Sequence, residues 1–352
     1  MPRLLAAPDK YRGTATAAEV AAALVRAGRR RGWEAEAQPL SDGGDGLLDV
    51  FAVRQLEARF EPVCGPLGHE VVAEWRTDGE LAVIEMARAS GLSLVGGSNG
   101  NDAVAATSVG TGQLIAAAAD AVGGGGGGGD GDGGGRIIVG LGGSASTDGG
   151  WEASAAVRSR GGLHGVRLVG ACDVYIGFVE AARLFAPQKG ASVEQVELLE
   201  ARLELLVRRY REEFGADVAS VPGAGAAGGF GGAIVAMGGE LRSGYELVAE
   251  SIDLRRALAA ADLVVTGEGA LDEQSFLGKV VGGVIDDAEV QGVPVIVVAG
   301  RATSQAKLEA SRRGVRVVSL IDRFGRSRAM SEPVSCIEEV AVELLVEHER
   351  GG

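Results

Sequence analysis

The sequence predicts an α/β protein of two domains: a discontinuous three-layer domain on a parallel sheet, and a mixed α/β domain inserted into it. Three observations carry this. Both ends of the 352-residue chain alternate short apolar strands with amphipathic helices. The rhythm changes to strand–turn–strand near residue 60. Composition is 46% hydrophobic with 58 glycines and only 4% aromatic residues, which suits close helix-on-sheet layers better than disorder.

RLLAA (3–7) reads as a buried strand and APDKYRG as the loop at its end. Thr16-Ala17-Ala18-Glu19 is a capping-box pattern, so a helix starts near 16 and runs to about 31, with arginines closing it favourably for the helix dipole. A second strand follows over Glu34–Pro39, then the SDGGDG loop and a helix over 46–56. Segments 59–64, 69–76 and 81–85 are short strands separated by turns. A helix occupies 107–122 after Gly112, and the glycine-rich run 123–135 predicts a flexible surface loop, because it has no side chains to bury.

RIIVGLGG is a strand entering a glycine turn, with a helix from near Trp151. VRLVGACD (166–173) is a buried strand, 192–213 a helix, and 222–239 a glycine turn into a small-residue helix. The last third returns to strand–helix units: ADLVVTGEG, a helix over 275–290, VPVIVVAG, VRVVSLI (315–321) and a terminal helix. Residues 1–60 and 245–352 are therefore expected to form one discontinuous Rossmann-like domain, with 61–244 inserted. The rhythm leaves open whether 136–160 joins the first sheet.

The net charge of −14 argues against a nucleic-acid partner, which calls for positive charge concentrated on one face. No uncharged apolar run reaches the roughly 18 residues of a membrane span. The opening MPRLLAAPDK lacks the apolar core of a secretory signal, so the expectation is a cytoplasmic protein without a membrane partner, as monomer or homodimer. Cys64, Cys172 and Cys336 form no disulfide framework. His69, His164 and His348 are too scattered in sequence to suggest a zinc centre, so any metal is expected to be a hard ion held by carboxylates.

Only four of the 34 basic residues are lysines, and Lys10, Lys189 and Lys279 sit in glycine- or aspartate-rich stretches. A compact ammonium suits phosphate handling, although coding bias toward arginine would leave the same few lysines. Five constellations follow. Asp9-Lys10 with Arg12-Gly13 stands at a strand's C-terminal end, where open α/β sheets bind ligands; its plainer reading is a capped turn with surface charges. Ser41-Asp42-Gly43-Gly44-Asp45-Gly46 places two carboxylates three apart, able to orient a hydroxyl, hold Mg²⁺ or act as base, or simply to start a helix.

Gly140 to Gly150, with Gly142, Gly143, Ser144, Ser146, Thr147 and Asp148, offers amides and hydroxyls for a phosphate nest. Gly267-Glu268-Gly269 with Asp272, Gln274, Ser275 and Lys279 lacks the Walker A spacing but has the charges phosphoryl transfer uses. Pro187-Gln188-Lys189-Gly190 is a weaker signal, as are Glu85 and Asn101, for which local capping is the plainer explanation. A magnesium-dependent phosphotransferase fits this inventory. A Rossmann-like oxidoreductase or a sugar-binding protein would use parts of it.

APDKYRGT, SDGGDG, IEMARASGL, GTGQLI, GLGGSASTDGG, CDV, FAPQKGA, PGAGAAGGFG and GEGALDEQSFLGK together resemble the bacterial-type glycerate kinase family, in the family's order and over nearly the whole chain. The resemblance implies two α/β domains with the active site in the cleft, and phosphorylation of D-glycerate by ATP with Mg²⁺, giving 2-phosphoglycerate. Lys10 stands where the family more often has serine, Arg12 where it has lysine, and Asp45 where it has glutamate. The segment after CDV is more apolar than usual in the family.

The mechanism expected on this basis takes Asp42 as base or hydroxyl-orienting group, with Asp45 or Asp272 as alternatives, and Lys189 or Lys279 on the transferring oxygens. Asp9, Lys10, Arg12, Asp45 and Glu85 would bind glycerate. Gly142, Gly143, Ser144, Ser146, Thr147, Gly267, Gly269 and Ser275 would bind ATP phosphates, and Asp148, Glu268 and Asp272 the metal. Two rivals are a kinase of another small hydroxy acid or polyol, and a non-catalytic metabolite sensor.

Overall fold

Leu4, Leu5 and Ala6 are apolar in succession, as a strand covered on both faces requires. In the computed structural model, which describes residues 1–51, 56–123 and 134–351, they form an interior strand of a parallel sheet. In chain order the described strands are β1 (Arg3–Ala6), β2 (Glu34–Ala37), β3 (Glu57–Cys64), β4 (Glu70–Thr77), β5 (Leu81–Glu85), β6 (Arg136–Gly140), β7 (Arg167–Ala171), β8 (Glu240–Arg242), β9 (Leu263–Leu271), β10 (Val295–Ala302) and β11 (Arg316–Ser319). Contacts divide the chain into two units, residues 1–42 with 245–352, and 43–244.

The first unit carries a sheet ordered β11-β10-β9-β1-β2 among the described residues, all parallel. Strand order reverses between β1 and β9: the chain leaves β1 toward β2, and later leaves β9 toward β10 and β11. Such a reversal opens a crevice at the C-terminal strand ends. Helix Ala17–Arg30 packs Val20 and Leu24 against Leu4, Val265 and Val298, and joins helix Pro333–Gly351 through Ile337 and Leu344. Its start is the expected capping box: Thr16 Oγ accepts from the Glu19 N–H, and the Glu19 carboxylate accepts from the Thr16 N–H at 2.8 Å. Leu5, Val264 and Val297 alternate onto the other face and are also buried, so both faces are covered.

The second unit carries a sheet ordered β3-β4-β5-β6-β7-β8 among the described residues. β3 to β5 pair antiparallel and β5 to β8 parallel. The question left open for 136–160 is thus answered: β6 pairs with β5 and β7 in this sheet. The first unit ends at Asp42 rather than near residue 60, because Glu57–Cys64 hydrogen-bonds to β4 and the amide of Leu48 donates to Glu85 at the end of β5. Helix Val193–Phe214 buries Leu199, Leu203, Leu206 and Tyr210 against Phe178 and Trp151. The expected helix over 46–56 is described as Leu47–Phe51, with 52–55 outside the described residues, as is 124–133 of the glycine-rich run. Among the described residues, no helix is long and apolar enough to cross a membrane.

Candidate active site

The loop after β1 keeps pairing with β9: the Ala7 amide donates to Val265 O at 2.9 Å and the Asp9 amide to Gly267 O at 2.8 Å. Two backbones this close leave no room for side chains. A Cβ on Gly267 would lie 1.8 Å from Val298 O and 2.9 Å from Tyr11 Oη, and one on Gly269 3.0 Å from Tyr11 Cα. Tyr11 is buried there, its hydroxyl donating to Val298 O at 2.6 Å. The glycines thus explain how Asp9, Lys10 and Glu268 come to sit together. They and Arg12, Thr14, Asp42, Gly269, Lys279, Arg301, Arg326 and the apolar Ile321, Ala329 and Met330 line a cavity of about 690 Å³.

Charge in this cavity is unevenly partnered. Lys10 Nζ lies 3.2 Å from Asp42 Oδ1 and 3.5 Å from Asp9 Oδ1. Burial disfavours its charge, but Asp42 and Asp9 outweigh that and raise its pKa. Burial pushes the Asp9 carboxyl up to about 6, against the pull of Lys10 and with a further push from Asp42. Burial likewise pushes Glu268 up to about 7, against a hydrogen bond from Ser275 and with a further push from Asp9. Glu268 Oε1 is sealed from solvent without a hydrogen-bond partner. Arg12, Lys279, Arg301 and Arg326 line the same space, and no carboxylate among the described residues pairs with them at salt-bridge distance. Lys279 immediately precedes helix Val280–Gln291, whose first residues Val280 and Val281 also line the cavity.

In the second unit, the 140–150 loop is held from below. Lys189 is buried, its Nζ donating to Ser144 Oγ at 2.8 Å and Ser146 O at 2.5 Å. Burial lowers its pKa to about 7, with Asp148 opposing. Asn101 Nδ2 donates to Ala145 O at 3.1 Å and Lys189 O at 2.9 Å, tying the loop to the segment that carries the lysine. Asp148 accepts from the Ser108 amide and hydroxyl at 2.8 and 2.7 Å and from the Gly150 amide at 3.2 Å. Gly149 and Gly150 take positive φ, with Leu206, Phe178 and Ala233 where a Cβ would point. Ser146 and Thr147 are fully buried, and their hydroxyls have no partner.

The predicted residues therefore fall into two groups. Asp9, Lys10, Arg12, Asp42, Glu268, Gly269 and Lys279 share the first unit's cavity. Lys189, Ser144, Ser146, Thr147 and Asp148 share the second unit's buried nest. Gly142 and Gly143 admit the 43–46 loop: a Cβ on Gly142 would meet Gly44 Cα at 2.6 Å, and one on Gly143 would meet Asp45 Oδ1 at 2.9 Å. Glu85 anchors the same loop, accepting from the Gly46 and Leu48 amides at 2.9 Å each and pairing with Arg88.

Asp272 and Ser275 cap each other's short turn, Asp272 accepting from the Gln274 amide at 2.9 Å and donating its own amide to Ser275 Oγ at 3.0 Å. Of the three carboxylates expected for metal, Glu268 and Asp272 lie in the first unit and Asp148 in the second, and the described residues hold no group of three or more His, Cys, Asp or Glu arranged as a metal site. Sequence reasoning missed Arg301, Arg326 and Thr14. For Arg301 a signal existed, since AGRAT follows an apolar strand as APDK does; Arg326 lies in a plain polar stretch and carried none.

A model of the glycerate kinase family matches residues 4–160 and 156–347. An uncharacterised protein of Mycobacterium bovis is 40% identical over 338 residues, covering 93% of this chain and 86% of its own. Glycerate 2-kinase of Escherichia coli K12 is 37% identical over 338 residues, covering 86% of each chain. A Salmonella typhimurium LT2 protein, described as a candidate glycerate kinase 2, has a crystal structure that superposes with a TM-score of 0.79 at 31% identity, over 100% of this chain and 99% of that one.

Proposed function

The chain belongs to the glycerate kinase family, and from that premise we propose that it transfers the γ-phosphoryl group of ATP, with Mg²⁺, to a hydroxyl of D-glycerate, giving 2-phospho-D-glycerate and ADP. The observation that carries this is the first unit's cavity, whose lining combines four cations without carboxylate partners among the described residues and Glu268, one carboxylate oxygen of which has no donor. Such a set is built for polyanions, and phosphoryl transfer relies on positioning and charge stabilisation more than on covalent chemistry.

Arg12 holds the glycerate carboxylate, because Lys10 is already engaged by Asp9 and Asp42 while Arg12 is not. A planar guanidinium also suits bidentate pairing with a carboxylate. Asp42 accepts the proton of the acceptor hydroxyl as its oxygen bonds to the γ-phosphorus and the bond to the β–γ bridging oxygen breaks. Lys10 keeps Asp42 oriented through their 3.2 Å contact. Lys279 and the amides at the start of its helix draw charge from the transferring oxygens.

Glu268 fits a magnesium ion arriving on the nucleotide: its orphaned Oε1 is a hard donor, and Mg²⁺ typically takes one or two carboxylates beside phosphates and water. When bound, the ion neutralises charge on the phosphate oxygens. Lys189 acts from beneath, holding the 144–148 loop through Ser144 and Ser146 rather than touching substrate.

The test is purified protein with D-glycerate and Mg-ATP, with products resolved by phosphorus and carbon NMR. The expected product is the 2-phosphate. The 3-phosphate would reverse the substrate pose within a kinase of the same class. Glycerate-independent consumption of ATP, or turnover only with tartronate or glycerol, would refute the acceptor assignment.

A further inference from the structure

The cavity is larger than glycerate needs. About 690 Å³ lies in the range that accommodates molecules of drug size, whereas glycerate has a three-carbon skeleton. Its lining is also polarised. Asp9, Lys10 and Asp42 come from the β1 side. Arg301, Ile321, Arg326, Ala329 and Met330 come from the end of β10 and the segments that follow β11.

Arg301 is paired in register with Ala270, two residues beyond the pair Ala299 and Glu268. Side chains alternate along a strand, so Arg301 and Glu268 project from the same face of the sheet on neighbouring strands. Arg326 begins the short helix Arg326–Ser331, whose Ala329 and Met330 form the adjoining wall.

The arginines nearby behave differently. Arg312 pairs with Glu309, Arg313 with Asp286 and Glu289, Arg316 with Glu347, Arg323 with Glu343, and Arg328 with Glu332 and Glu339. Arg301 and Arg326 have no such partner among the described residues, and both face the cavity. In a chain of net charge −14, with acceptors this plentiful, two unpaired guanidinium groups beside an apolar wall match a ligand that carries several negative charges next to an uncharged ring system.

We propose that Arg301 and Arg326 bind the phosphate chain of the nucleoside triphosphate, with Ile321, Ala329 and Met330 against its nucleoside. This rests on the reading that the protein uses ATP. It places the nucleotide at the β10 and β11 end of the cavity and leaves the β1 end to the acceptor acid.

The experiment is calorimetric titration of Mg-AMP-PNP, and separately of tripolyphosphate, into wild type, Arg301→Ala, Arg326→Ala, the double variant and Arg323→Ala. Steady-state KM values for ATP and glycerate are measured on the same preparations, with circular dichroism to verify folding. Each single substitution should weaken AMP-PNP by about tenfold and the double variant further, as expected for loss of a charge-assisted hydrogen bond. The glycerate KM should stay unchanged, Arg323→Ala should behave as wild type, and tripolyphosphate should bind more weakly than AMP-PNP but lose affinity in the same variants.

A folded double variant that binds AMP-PNP as wild type does would overturn the assignment. So would a raised glycerate KM with nucleotide affinity intact, which would make these arginines the acid's ligands. Wild type that binds no nucleotide at all, yet phosphorylates glycerate from another donor, would remove the donor reading and this inference together.

Discussion

Asp42 and Glu268 are both acids in one cavity, and their surroundings separate their roles. Asp42 is fixed by the ammonium of Lys10 at 3.2 Å, while Glu268 has an oxygen with no donor. Asp42→Asn keeps the side chain's size but removes its ability to take a proton. We expect kcat to fall by about 10² to 10⁴, the usual contribution of a positioned base, with the unfolding midpoint little changed. A folded Asp42→Asn protein with wild-type kcat would remove Asp42 from the chemistry. At this scale the sequence was informative where chemistry and strand ends coincide: Asp9, Lys10, Arg12, Glu268 and Lys279 all line the cavity. It was less informative for Glu85 and Ser275, whose polar atoms are used to cap neighbouring turns. A cap and a ligand use the same residue types, and only three-dimensional neighbours distinguish them.

Strands and helices were legible wherever a residue pattern alone decides them. The capping box at Thr16 starts helix Ala17–Arg30, the helix expected over 192–213 is Val193–Phe214, and the apolar run of RIIVG forms β6. Short elements such as β8 and helix Arg326–Ser331 escaped, because three to six residues carry too little periodicity to be read. Gly267 shows how one element depends on another. Its missing Cβ lets Val298 of β10 and Tyr11 of the β1 loop approach β9 together. Gly267→Ala must push Val298 O or Tyr11 aside, which should cost about 1–3 kcal/mol, the usual price of overpacking. A lowered urea midpoint, accompanied by a raised glycerate KM as the loop of Asp9 and Arg12 shifts, would agree. A wild-type midpoint would mean the two strands separate freely here and the glycine serves another purpose.

The whole chain's division into two sheets was legible from the change of rhythm, while the exact border at Asp42 was not, because SDGGDG reads as one loop although its first acid and its glycines belong to different units. Stability is also a property of the whole chain, and it carries the imprint of the buried charges. The folded protein holds Asp9 at about 6 and Glu268 at about 7, above their ordinary values of 3.8 and 4.5. Between those limits the folded state keeps protons that the unfolded chain releases, so stability from these groups is full below about pH 4 and is lost as pH rises through 6 to 7. Lys189 acts in the opposite direction: its pKa is lowered from 10.5 to about 7, so the unfolded chain binds the extra proton and stability rises again between those values. The two effects predict a dip near neutrality. In ligand-free, chelator-treated protein the urea midpoint should be lower at pH 7 than at pH 5, by the equivalent of about 1–3 kcal/mol. Glu268→Gln should remove much of that fall, and Lys189→Met the recovery at higher pH. A midpoint that does not vary between pH 5 and pH 9, or the same dip in both variants, would show that these groups do not carry the strain assigned to them. Where the dip is present, Mg-ATP should fill it most strongly at neutral pH, because the ligand's charges meet the carboxylate and cations that the empty cavity leaves unmatched.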